Sequence, residues 1–343
     1  MQRARRADVT SKAHLSPIDR RRACAALLAA VAFGATAQSV GRKARIGFVL
    51  EPPIDDAIRT ALVGAFRQGL RELGQVEGEH YALELRSANG RRDDLPAVVD
   101  AILKLQLDVL VAAFPAVARV VKRAGSTVPV VAVAVDNPVE TGLAETMARP
   151  GGNITGISSW GTELVAKRLQ LLRDLVPSVR LVGILAGREG AVQSLRDAGV
   201  HDWGRSLSLQ VRVYEARDLG ESEAAWKAMV KDRVGGIVVL ADTNTYTNRA
   251  RLNALCIESR LPSVWGGRDF LTGGGLASYQ SDFRAIFKRA ATLVDAILKG
   301  TKPGDIPFEQ ATKLELVIDQ RAAKALGLVL PKAVLVAADE VIE

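Results

Sequence analysis

Between Arg45 and Trp265 short apolar runs alternate with stretches of helical spacing, and one segment interrupts the alternation: Ala148-Arg149-Pro150-Gly151-Gly152-Asn153-Ile154-Thr155-Gly156-Ile157-Ser158. Pro150 fixes one torsion and removes a backbone donor, and Gly151 and Gly152 permit left-handed backbone, so a helix ends sharply there. The alternation of Asn153 to Ser158 then predicts a short extended segment. On the glycines alone the stretch suits any surface turn. Placed between two halves of like rhythm, it reads as a crossover from one α/β body to another.

In the first half, Arg45–Leu50, Asp108–Ala113 and Val128–Val135 have the nearly continuous apolar character of parallel strands buried on both faces. Tyr81–Arg86 alternates more and is expected near a sheet edge. Helices are expected after Asp55-Asp56, with Ile58, Leu62, Phe66 and Leu70 on one face, after Asp93-Asp94-Leu95-Pro96, and over Ala116–Ala124. Past the crossover a helix is predicted over about Thr162–Leu175. Strands at Leu181–Leu185, Leu209–Tyr214, Val234–Leu240 and Pro262–Trp265 then alternate with helices near Gly190–Ala198, Glu221–Lys231 and Thr245–Ser259. Such alternation implies parallel, doubly wound sheets with right-handed crossovers. The tail breaks the scheme with a strand at Leu276–Gln280, an amphipathic helix at Asp282–Lys299 and a strand at Lys313–Ile318, as if the chain returned to the first half before finishing on the second.

Residues 1–37 read as a secretory signal peptide: Arg20, Arg21 and Arg22 precede an apolar run from Ala23 to Ala35 that closes on Ala35-Thr36-Ala37. The run is shorter than the roughly 20 residues a bilayer demands. Removing this leader takes away +5 and leaves +3 of the formal +8, without a Lys/Arg stripe, which argues against a nucleic-acid partner. Cys256 is then without a mate, so packing rather than a disulfide must hold the chain. The expected division is 43–156 plus 278–308 for a first lobe and 157–277 plus 309–343 for a second.

Open parallel α/β sheets bind ligands beyond the carboxyl ends of their strands. That rule selects Glu51, Pro52, Phe114, Asp136 and Asn137 in the first half, Ser158, Ser159 and Trp160 beside the crossover, and Gly187, Arg188, Asp242, Thr243, Gly267 and Arg268 in the second. Each has a plainer reading. Asp136 and Asn137 before Pro138 suit a self-bonded turn, Arg268 beside Asp269 a surface ion pair, Asp242-Thr243 a helix cap, and Phe114, Trp160 and Trp265 simple packing. Catalytic signatures are scarce. No Gly-x-Gly-x-x-Gly follows the first strand, no Gly-x-Ser-x-Gly elbow occurs, and outside the leader only His80 and His201 are present, too few for a histidine metal cluster and a poor supply for a Ser-His triad. No catalytic residue, metal or cofactor is expected, and the inventory suits a binding protein better than an enzyme.

The segments Gly69-Leu70-Arg71-Glu72-Leu73-Gly74, Ala148 to Gly156, Arg268-Asp269-Phe270 before Gly274-Gly275-Leu276, and Lys313-Leu314-Glu315-Leu316-Val317-Ile318 with Ala323-Lys324-Ala325-Leu326-Gly327-Leu328 resemble, in this order, the ABC transporter substrate-binding family of the tryptophan/tyrosine type. The resemblance covers essentially the whole chain after the leader. It implies a type 1 periplasmic-binding-protein fold, with two doubly wound lobes, three hinge strands and a small ligand between them. It also implies ABC permease and ATPase subunits as partners, while the cleaved leader predicts a periplasmic location and the motif inventory no enzymatic activity. Asp136, Ser158, Asp242 and Arg268 fall where relatives present cleft groups. Two positions depart from the pattern: Phe114-Pro115-Ala116 replaces a common Thr-Pro-Ala, and Gln280 stands where glycine after Ser-Tyr is usual. The expected protein is therefore a monomeric solute-binding component of an importer, taking an amino-acid-like, aromatic or carboxylate metabolite. A ligand-sensing module for a membrane receptor and a two-lobed periplasmic enzyme with a carboxylate pair are the alternatives. A DNA-binding regulator is disfavoured, because no helix pair precedes the first strand.

Overall fold

The apolar runs become strands whose every residue is buried, as at Val109–Ala113 and Val130–Val135, because helices cover both faces of each sheet. The structure is a computed structural model that describes residues 42–53, 59–161, 163–187 and 191–343. The expected leader, Asp55, Asp56, Ile58, Thr162, Arg188 and Gly190 lie outside the described residues.

Among the described residues the strands are β1 (Ala44–Leu50), β2 (Tyr81–Ser87), β3 (Val109–Ala113), β4 (Val130–Val135), β5 (Ile154–Ser158), β6 (Leu181–Ala186), β7 (Gln210–Glu215), β8 (Gly236–Val239), β9 (Ser263–Trp265), β10 (Ala277–Ser281), β11 (Glu309–Gln310), β12 (Leu314–Asp319) and β13 (Glu340–Ile342). They form two sheets of order β2-β1-β3-β4-β5-β11 and β7-β6-β8-β9-β10-β12-β13. The leading five strands of each follow one pattern, in which the first strand's neighbours are the second and the third. Chain direction across the sheet therefore reverses between β1 and β3 and again between β6 and β8, and a crevice opens at such a switch point. All pairs in the first sheet are parallel. The second contains one antiparallel pair, β10 with β12, because β12 enters from the first sheet rather than from a crossover helix.

The chain passes between the sheets three times in the described residues: after β5, after β10 and between β11 and β12. Strand pairing puts these passages a few residues beyond the expected division, since β10 bonds to β9 and β12 while β11 bonds to β5. The helix after β10, Phe283–Leu298, returns to the first sheet, where Ile286, Phe287, Ala290 and Val294 join Phe48 and Phe66 in one apolar cluster. Asp282 caps it by accepting from the Ala285 N–H at 3.0 Å.

Several boundaries differ from the sequence reading. The helix expected near 190–198 is followed by a second, Val200–Ser206, because Gly199 adopts φ +83° and breaks the run. The helix expected over Thr245–Ser259 is two, Thr243–Thr247 and Arg249–Ser259, parted at Asn248. Strand β4 carries an irregularity at Ala134, whose φ is +57°. The pairs of β11 and β13 were not anticipated: two or three residues are too short for any period to show. No helix of the described residues is long and apolar enough to cross a membrane.

Candidate functional site

Loops from the carboxyl ends of both sheets border one cleft with about 240 Å³ of room, below the roughly 300–1,000 Å³ of sites for drug-sized molecules. Glu51 and Pro52 follow β1, Phe114 follows β3, Asp136 follows β4, Asp242 follows β8, and Gly267 and Arg268 follow β9; all line it. The first-sheet and second-sheet loops also meet directly, since a Cβ at Gly90 would stand 3.0 Å from Thr247 Oγ1.

The first wall is aromatic. Phe114 opens its helix at φ +71°, a region that bulky residues rarely enter and that persists only when surroundings impose it. Two rings pack against it there: Phe283 edge-on at 5.7 Å, and Phe287 tilted at 5.8 Å. Phe287 stacks on Phe48 at 5.9 Å, and Phe48 meets Phe66 at 5.4 Å, so the cleft surface continues into the core. Beside it the buried Glu51 carboxylate accepts from Arg92 Nε at 3.0 Å.

The second wall is polar and internally bonded. Asp242 accepts from the Thr245 N–H at 3.0 Å and the Gly187 N–H at 2.7 Å, completing a capping box with Thr245. Only glycine fits at 187, where a Cβ would lie 2.4 Å from Asp242 Oδ1. Burial raises the Asp242 carboxyl above its ordinary range despite these donors and the nearby Arg92. Arg268 holds Glu315 on β12 and Glu340 on β13, each at 2.7 Å. Phe270 is sandwiched between Trp265, stacked at 4.8 Å, and Tyr246, edge-on at 5.8 Å.

Arg168 sits between the walls. It is buried on the helix Glu163–Leu175, donates from Nε to the Tyr279 carbonyl at 2.8 Å, and feels Asp136 from the first sheet. Burial pulls its guanidinium down to about 10, with Asp136 and Tyr279 opposing. Trp160 joins the three passages: its backbone N–H donates to Ser281 Oγ at 3.2 Å and its Nε1 to the Ala311 carbonyl at 2.7 Å.

Of the residues expected at the site, Phe114, Asp136, Trp160, Asp242 and Arg268 border the cleft. Ser158, Ser159, Asn137 and Gly187 are not among its lining residues. Ser158 is buried in the β5–β11 pair, Ser159 donates its N–H to Val135, and Gly187 lies behind Asp242. Asn137 is exposed and shapes a turn, its carbonyl taking Thr141 N–H and its Oδ1 taking Glu140 N–H. Trp265 is fully buried core. Gln280, noted above as a departure from the family pattern, lines the cleft as well, and Arg168, Tyr246, Ser281 and Phe283 line it and were missed. For Arg168 a signal existed, an arginine inside the apolar stripe Leu164, Leu169, Leu172 and Leu175; Ser281 and Phe283 follow the end of the expected strand Leu276–Gln280, where the strand-end rule could have found them.

Two α/β lobes of matching strand order, facing one cleft across three chain passages, define the two-lobed architecture of the periplasmic-binding-protein fold. The family described as ABC transporter substrate binding protein matches residues 49–342, and the chain belongs to it. A curated relative, a tyrosine-binding protein of Clostridioides difficile, is 21% identical over 82% of this chain and 79% of its own. Among solved structures, an ABC domain in complex with L-Trp from Streptococcus pneumonia is similar at TM-score 0.78 and 21% identity, covering 88% of this chain and 100% of that one. A conserved domain protein from Vibrio cholerae is similar at TM-score 0.80 and 23% identity, with the same coverage.

Proposed function

We propose that this chain is the exported solute-binding component of an ABC importer, whose lobes close on a small amino-acid-like, aromatic or carboxylate metabolite and present it to a membrane permease. The lobes follow the sheets: β1–β5, β11 and the helix Phe283–Leu298 on one side, β6–β10, β12 and β13 on the other. Phe114, Asp136, Trp160, Asp242 and Arg268 belong to the ligand's surroundings, outside the cytoplasm. The observation that carries this reading is the small cleft that loops at the switch points of two sheets of matching order share. Its aromatic wall suits a ligand with a flat ring, and the tyrosine-binding relative and the structure in complex with L-Trp both concern amino acids of that kind. Closure is a population shift driven by contacts that a ligand makes with both lobes at once. A true ligand at 100 times its Kd adds about 2.7 kcal/mol, or about 5–10 °C of Tm for a chain of this size. A thermal-shift screen of amino acids, aromatic metabolites and small carboxylates should yield at least one such response. Silence across the whole library would remove the reading.

A further inference from the structure

Four charged side chains are buried among the described residues: Glu51, Arg168, Asp295 and Asp319. A charge taken out of water is costly unless an opposite charge stands beside it. Three of the four meet that condition. Glu51 accepts from Arg92 Nε at 3.0 Å, Asp295 from Lys299 Nζ at 2.6 Å and Asp319 from Arg321 Nη2 at 2.8 Å.

Arg168 is different, because no described carboxylate forms an ion pair with it. Its Nε is spent on the Tyr279 carbonyl at 2.8 Å, a neutral acceptor, and Asp136 acts on it through space. Burial outweighs that help, which is why the guanidinium is pulled down to about 10. Nη1 and Nη2 donate to none of the described residues, and neither is sealed from solvent; the 5% of Arg168 that stays exposed opens on the cleft it lines. Gln280 Oε1, also without a partner on this wall, is closed off from the surface.

The acidic groups on the cleft are already in use. Glu51 holds Arg92, Glu315 holds Arg268 at 2.7 Å, Asp282 holds Lys313 at 2.7 Å, Asp242 takes two backbone N–H donors, and Asp136 and Asp269 have partners of their own. A ligand ammonium would have to displace one of these donors. A ligand carboxylate meets N–H groups that no described residue occupies, on a planar fork that suits two parallel bonds to its oxygens. The exposed Arg284 borders the same cleft and adds positive potential that draws anions in.

We propose that Arg168 is a specificity-determining residue, its two terminal nitrogens donating to the carboxylate of a small organic acid that supplies the counter-ion no described residue provides. This rests on the cleft being the solute site. It narrows the ligand class to acids recognised by their carboxylate, with no amine required.

The test pairs each acid with its primary amide, which keeps the shape and loses the charge: benzoate with benzamide, 3-phenylpropanoate with 3-phenylpropanamide, and 4-methylpentanoate with 4-methylpentanamide. L-phenylalanine and L-leucine carry the last two bodies with an amine added. Wild type, Arg168→Gln and Arg168→Lys are titrated by calorimetry. Wild type should bind at least one acid about tenfold or more tighter than its amide, and the matching amino acid no tighter than the acid. Arg168→Gln, which can still donate to the Tyr279 carbonyl, should bring acid and amide within about twofold of each other. Should that variant fail to fold, Arg168→Lys takes its place: acid affinity down about threefold or more with the amide unchanged supports the assignment, and equal losses for both overturn it. A wild-type amide that binds as well as its acid overturns the proposal without reliance on any variant. So does an Arg168→Gln chain that keeps the wild-type preference, or an amino acid about tenfold tighter than its deamino acid. These results would leave the cleft a solute site. A ligand found only in the wider library is paired with its own amide in the same way, and one without a carboxylate overturns the proposal. If wild type binds no probe and nothing in that library, the solute-binding reading itself fails.

Discussion

The two walls of the cleft come from sheets of the same strand order yet differ in how densely their polar groups are bonded. The first is a chain of rings, Phe66, Phe48, Phe287, Phe114 and Phe283, that runs from the core to the cleft surface. The second sets a ring cluster, Trp265, Phe270 and Tyr246, beside hydrogen-bonded and ion-paired groups, Asp242 with Gly187 and Thr245 and Arg268 with Glu315 and Glu340. Packing of rings is non-directional and sets a shape, whereas paired polar groups fix directions and reject what cannot match them. Both walls thus offer apolar area, and the second adds the denser set of directed polar groups. The antiparallel β10–β12 pair explains why they differ: it belongs only to the second sheet and sets Gln280 opposite Glu315.

The strongest way to break this contrast is Phe287→Ala. Phe287 is fully buried and touches both Phe48 and Phe114, so its loss should cost about 3–5 kcal/mol and lower the urea midpoint accordingly. If the ring chain is the frame of the first wall, ligand affinity should fall with it. Arg168→Leu should come next, at about 2–3 kcal/mol in the same measurement, because the Tyr279 carbonyl loses its donor and Asp136 its nearby cation. The figure lies below that for a fully buried pair since Asp136 is only half-buried.

The caps Asp242 and Asp282, one on each side of the cleft, sharpen the comparison through pH. Burial raises the Asp242 carboxyl, so the folded chain binds its proton more tightly than the unfolded chain does. Stability should therefore fall as pH rises from the ordinary aspartate value to the raised one. At Asp282 burial also pushes upward, but Lys313 and the Ala285 N–H outweigh it and the carboxyl is lowered. Its stabilisation is present above the ordinary value and lost as pH falls through the lowered one. Melting curves across about pH 3–7 should show Asp242→Asn flattening the first trend and Asp282→Asn the second. The smallest effect is expected at Asn137→Ala. The side chain is exposed and in a turn, so stability should move by about 0.5 kcal/mol and the affinity of any screened ligand should stay put. A tenfold loss of affinity there would return Asn137 to the site.

The buried strands were legible because an apolar run flanked by turn residues and a helical stripe has few other folded meanings, and Val109–Ala113 and Val130–Val135 show it. The strand-end rule likewise pointed to Phe114, Asp136, Asp242 and Arg268, which line the cleft, since carboxyl-end loops follow directly from strand positions. It failed at Asn137 and Ser158, where a self-bonded turn and a short strand pair use up the groups, and both uses involve geometry that no period records.

What the sequence determined by itself was the order of elements, the break near Gly151 and the two like halves, because periods of two and 3.6 residues and the torsions of Pro and Gly are local properties. Only the tertiary structure decided which side chains share the cleft. Arg168 meets the Tyr279 carbonyl across 111 positions of sequence, and Trp160 reaches Ala311 across 151. Such meetings depend on sheet order and on the chain's passages between sheets. The same is true of an unpartnered oxygen on Gln280, since a missing partner is a property of everything packed around an atom and of no single stretch of chain.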